Sequence, residues 1–212
     1  MTFDKEFKEA ISNMPSSEKD KLIFRMLKSN PDLVRRLSFE LVSGDSVESR
    51  RKQTQQKLER NIVQIKQYTH YMSPGILMMN MRDTSGIVND HVKITKDKYG
   101  EVSLQIYILK EFLQILKNSF TNYPANRFYT INIYIVARIF KIMVLLKKMH
   151  EDYMADFVDD LEIIGQLFND NPCLIKTAVQ NGLNVNWLTK NEIPDDIAKI
   201  EKDLRQRGYL KH

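Results

Sequence analysis

The sequence predicts an all-α protein of about nine or ten helices packed around one buried helix, residues 128–149, with solenoid-like layering as a compatible shape. Three observations predict it. In FYTINIYIVARIFKIMVLLKKM, Phe128, Ile131, Ile135, Ile139, Ile142, Leu146 and Met149 recur at steps of three and four. That spacing forms one helical stripe, and Ile133, Val136, Phe140, Met143, Val144 and Leu145 fill most of the remaining circumference. The same spacing runs through Val102, Ile106, Leu109, Leu113, Leu116 and Phe120. Finally, seven Gly and six Pro in 212 residues are too few for the many turns of an all-β protein. Alternation in VSLQIYI and TINIYI also fits short strands, but the three-four spacing extends much further and decides for helix.

A helix that is apolar on every side must be enclosed by protein or by lipid. Arg138 and Lys141 interrupt this one, and its uninterrupted apolar run falls short of the roughly 18–20 residues of a membrane span. Enclosure by protein, with no membrane partner, is therefore the expectation.

The other elements follow in order. Thr2 is placed to cap a first helix with Phe3, Phe7, Ala10 and Ile11 on one face, ended by Asn13-Met14-Pro15. Ser16 or Ser17 opens a second, with Leu22, Ile23, Met26 and Leu27 inward. Asn30-Pro31 starts a third, with Leu33, Val34, Leu37 and Leu41 as its stripe and Ser43-Gly44 as its close. Asp45 or Ser46 caps a long helix to about Met72. Its first half, VESRRKQTQQKLER, is almost wholly polar, which predicts an end projecting from the body. Ser73-Pro74-Gly75 restarts the chain into a helix from Ile76 to Ile94, and Tyr99-Gly100 punctuates before the Val102 stripe. Asn122-Tyr123-Pro124 leads into the central helix. Phe157, Leu161, Ile164 and Phe168 then line an acidic helix, and Asn181-Gly182 stops a short one beginning near Cys173. A loop carries Trp187, and a polar helix runs from Asp195 to Arg207. The whole reads as a single helical domain, 1–212, in which residues 1–43 form a sub-layer of three short helices packed on 44–212. No fixed-period repeat is present.

Charged residues make up 28% and apolar residues 42% of the chain, the balance of a folded soluble protein. A net charge of +5 permits nucleic acid or an acidic partner without requiring either. A single cysteine, Cys173, excludes an intramolecular disulfide and a multi-cysteine zinc site. The opening MTFDKEFKEAI is acid-bearing and has no apolar core of the signal-peptide kind, so a reducing cytoplasm is expected.

Three clusters carry chemistry. Arg82, Asp83, Asn89, Asp90 and His91 combine polar groups with an apolar stripe, as metal ligands, acid/base groups or a structural hydrogen-bond network. His70, His150 and His212 are too far away in sequence to complete a metal set locally. Arg50, Arg51, Lys52, Lys57, Arg60 and Lys66 could follow a phosphate backbone, though Asp45, Glu48 and Glu59 dilute them and aromatic interleaving is missing. Asp152, Asp156, Asp159 and Asp160 form an acidic face suited to a basic partner or to the neighbouring basic segment. Met72, Met78, Met79 and Met81 gather around Pro74-Gly75 as gap-filling core.

Walker, GxGxxG and GxSxG patterns are absent, as is an EF-hand loop, so no cofactor is expected. The sequence thus favours a non-enzymatic interaction or scaffold module with a protein partner, another chain or a second copy; wide apolar faces suit a homodimer. The alternatives are a small-ligand or metal-binding protein or enzyme using the 82–101 cluster, and nucleic-acid binding through 50–66.

Overall fold

The computed structural model of the protein describes residues 2–120 and 123–211; Asn122 and His212 lie outside the described residues. Twelve α-helices and two 3-10 turns account for the fold, with no strand among the described residues. The chain divides into two compact units: residues 1–46, to which 93–95 are grouped, and 47–92 with 96–212.

In the smaller unit, α1 (Lys5–Asn13) is capped by Asp4, whose Oδ1 accepts from Phe7 N at 2.7 Å. The cap thus sits two residues beyond the expected Thr2, because Asp4 stands three residues before the amide it satisfies. α2 (Ser16–Lys28) packs against α3 (Pro31–Leu41), which Asn30 caps by accepting from Leu33 N. None of the three helices contains a buried residue. The stripes expected to face inward are largely in solvent: Phe3, Phe7, Ile11, Ile23, Met26, Val34 and Leu41 are all exposed.

The larger unit holds the core. α4 (Val47–Tyr68) and α5 (Pro74–Thr95) are joined through a 3-10 turn, Thr69–Tyr71, and Ser73 caps α5. α6 (Lys98–Ser119) begins at an Asp97 cap, so Tyr99 and Gly100 lie inside its first turn rather than marking a break. After a second 3-10 turn, Ala125–Phe128, come α7 (Tyr129–Leu146), α8 (Glu151–Ala155), α9 (Val158–Asn169), α10 (Pro172–Gln180), α11 (Asn186–Thr189) and α12 (Ile197–Gln206). The count exceeds nine or ten because α8 and α11 are single turns, too short for periodicity to reveal; α11 holds Trp187.

α7 packs against α6, α10 and α12, while α9 packs against α6, α10 and α11. Twelve of the eighteen residues of α7 are buried, Ile135, Ile139 and Phe140 completely. Ala125–Leu146 does reach the length of a membrane span, with a mean hydropathy of 1.7, because the helical segment starts ahead of its apolar run. Neighbouring helices nevertheless cover most of it. Met81 is core and Met72 and Met78 pack against it, whereas Met79 is exposed.

The basic charges of α7 are met from several directions. Lys141 pairs with Glu101 of α6 and Lys147 with Asp195, while the Arg138 guanidinium donates to the Tyr134 hydroxyl. Two of the acids that follow α7 pair instead with α6: Asp160 with Lys110, Asp170 with Lys117. α10 ends in a complete Schellman motif, with Leu183 N bonded to Ala178 O and Gly182 N to Val179 O; the φ of +76° at Gly182 is the left-handed value that turn requires. Gln105 Nε2 and Asn132 Oδ1 are buried without a hydrogen-bond partner among the described residues, a cost of about 1–3 kcal/mol each.

Ile139→Asp places an unpaired charge at a fully buried position, and loss of soluble, cooperatively folded protein is expected. Ile139→Val should cost only about 1 kcal/mol in urea unfolding. An Asp variant with the parent's melting temperature and far-UV spectrum would contradict the buried placement of α7.

Candidate functional site

α4 and α5 lie antiparallel. Thr54 meets His91, and seven residues further along α4 Asn61 meets Thr84, seven residues earlier on α5. The polar first half of α4 therefore does not project. It is held to the body by side chains that only a packed position can satisfy, and Thr54 is buried.

The centre of the site is Asp97. Arg51 Nε donates to its Oδ2 at 2.6 Å and Arg51 Nη2 to its Oδ1 at 2.9 Å, the two-pronged geometry that makes such pairs strong. His91 Nε2 lies 3.1 Å from Oδ2, and Gly100 N donates to Oδ1 at 2.8 Å as the capping bond of α6. On its other side, His91 Nδ1 lies 3.3 Å from Thr54 Oγ1, whose own proton is directed at Arg50 O, 2.8 Å away. Burial alone would raise the Asp97 carboxyl. The hydrogen bonds from His91, Arg51 and Gly100, with the Arg51 charge, outweigh it and hold the group well below the usual carboxylate range.

The network continues outward. The Arg51 guanidinium sits 4.9 Å from the centre of the Tyr99 ring, which packs against Tyr153 and Phe157, and Tyr99 OH donates to Asp156 Oδ2. Burial and the Asp156 carboxylate together raise the Tyr99 hydroxyl above its ordinary value.

Beside this network runs a cleft of about 440 Å³. Arg50, Gln53, Thr54 and Lys57 line one wall, spaced as one face of α4; Asp83, Gly86, Ile87, Asp90 and His91 line the other, one face of α5. The structure thus brings part of the expected polar cluster and part of the expected basic face into one place. Asp83, Asp90 and His91 are there with Arg50 and Lys57. Arg82 instead reaches over the Tyr134 ring on α7, and Asn89 is exposed. The other bases are dispersed around α4: Arg51 is held by Asp97, Lys66 by Glu111, Arg60 bonds Gln56 O of its own helix, and Lys52 is exposed. Of the acidic face, Asp160 is paired with Lys110, Asp156 accepts from Tyr99, Asp152 lies beside His150, and Asp159 is exposed.

An Asp–His–hydroxyl chain can activate a nucleophile. Here the hydroxyl is in the middle of α4, where the surrounding backbone amides belong to the helix and cannot gather around a developing oxyanion. No group of three or more His, Cys, Asp or Glu side chains among the described residues could hold a metal ion. Cys173 lies half-buried near the start of α10, in a separate pocket whose walls include Leu113, Phe120 and Leu167.

Sequence reading passed over Asp97 and Arg51 as a pair because 46 residues separate them. A local signal was available: Asp97 followed three residues later by a glycine. A Cβ on Gly100 would lie 2.7 Å from Asp97 Cγ and 2.9 Å from Arg51 Nε, so only glycine leaves room for this pair. Comparisons with family models, with curated proteins and with solved structures find no match to the chain.

In an open helix Gly→Ala stabilises by about 1 kcal/mol. Gly100→Ala should do the opposite, destabilising the protein by about 2 kcal/mol in urea unfolding as the Asp97–Arg51 pair is displaced. A gain in stability would mean that the pair moves aside freely.

The depressed Asp97 carboxyl contributes stability that is complete above the roughly 3.9 of an unfolded aspartate and is lost as pH falls below it. Unfolding free energies measured from pH 7 down to about pH 2.5 should therefore decline less steeply in Asp97→Asn than in the parent. Parallel declines would show that another group titrates.

Proposed function

We propose that this chain is a non-enzymatic protein-interaction module, with the α1–α3 layer as its docking surface. The carrying observation is the state of that layer's apolar side chains. Phe24 is 64% exposed, Leu41 77% and Val42 83%, and no residue of the three helices is buried. Amphipathic helices of 9, 13 and 11 residues draw their stability from burying an apolar face, since isolated helices of that length are marginal in water. Exposed apolar surface on this scale characterises interaction sites.

The α4–α5 region supports the same reading by what its groups are already engaged in. His91, Asp97 and Arg51 bind one another, and the walls of the cleft carry opposite charges. The bases of α4 point around the helix rather than along one face, which disfavours a phosphate backbone as the partner.

A photoactivatable amino acid at position 24 or 41 of the full chain, in the native cell, should give discrete light-dependent protein adducts that excess untagged protein competes away. The same residue at exposed Gln114 on α6 is the control. Adducts no more frequent at 24 and 41 than at 114 would overturn the proposal.

A further inference from the structure

We infer that the surface covering α1–α3 is the same layer of a second copy of this chain, in a symmetric dimer. The inference rests on the interaction-module reading and names its partner.

Area supports it first. Nine large apolar side chains of the layer, from Phe3 to Val42, are exposed. At roughly 200 Å² for a full side chain, their exposed fractions, taken over all faces of the three helices, amount to on the order of 1,000 Å², the same order as the roughly 800 Å² per partner of a standard interface. On α1, Phe7 and Ile11 stand at i and i+4, and ahead of the cap the Phe3 ring lies 5.4 Å from that of Phe7, so the three form one ridge.

Charge then selects the occupant. Residues 2–46 carry equal numbers of acidic and basic side chains, so the whole +5 of the chain resides beyond them. Much of the layer's charge is also neutralised along its own helices, by Lys5 with Glu9, Arg35 with Asp32 and Arg36 with Glu40. In a symmetric dimer a patch meets its own image, so any net charge on it would repel itself. A neutral patch of mixed sign avoids that cost. It equally gives no electrostatic gain to a strongly basic or acidic protein, to nucleic acid, or to an anionic bilayer, all of which select for charge of one sign.

The test is light scattering on the purified full-length chain from about 1 to about 100 µM, at moderate and at high salt. The mass should rise from 25.0 kDa towards twice that value, and high salt should not dissociate the dimer. Phe24→Asp and Leu41→Asp should each weaken dimerisation by roughly a hundredfold or more, because each substitution occurs twice in the interface. Their circular dichroism should be unchanged, since both positions are exposed; Phe7→Asp provides a third variant should one of them disturb its helix.

A mass of 25.0 kDa throughout overturns the inference. So does a dimer that all three substitutions leave intact, since it would use another surface. A monomer whose positions 24 and 41 still cross-link to a different protein sinks the second copy and leaves the interaction module standing, whereas a monomer without adducts sinks both. A monomer that co-floats with phosphatidylcholine vesicles would overturn the inference by giving the layer a lipid occupant.

Discussion

One carboxylate joins three helices. Asp97 caps the first turn of α6, receives both prongs of Arg51 from α4, and is bonded by His91 from α5. Each contact constrains the others: the cap fixes the carboxylate, and the fixed carboxylate determines where a guanidinium from α4 can lie. Because Asp97 and His91 are almost wholly out of water, a half-satisfied version would be worse than an apolar one. The arrangement therefore imposes one geometry on α4, α5 and α6, against which the α6–α7 core can assemble.

That core was largely legible in the sequence. α6 and α7 are long and strongly periodic, and periodicity is the signal that survives without knowledge of neighbours. Single-turn helices such as α8 and α11 leave no such trace. Pairings across the fold were legible only in outline. Lys and Asp are visible in a sequence, but whether Asp160 meets the basic end of α7 or Lys110 of α6 depends on packing, and it meets Lys110. The clearest missed clue was Gly100, which reads as a break in sequence and acts as a clearance for the Asp97–Arg51 pair.

The first three helices show a different limit. An amphipathic stripe states that a face prefers cover; it does not say whose atoms provide it. The stripes of α1–α3 are as regular as those that build the core, yet their side chains are exposed. Phe7 and Phe112 are the same residue type in the same kind of element, one in solvent and one sealed inside. The residues that mark the layer as a surface are thus those that would ordinarily mark it as an interior.

The two rungs between α4 and α5, Thr54 with His91 and Asn61 with Thr84, stand two turns apart along the hairpin. Sliding one helix past the other by a single turn would part Thr54 from His91 and Asn61 from Thr84 at the same time. Greasy surfaces tolerate small slips; a pair of spaced polar rungs does not. They act as index pins, giving this hairpin one permitted alignment and turning what could be a sliding contact into a keyed one.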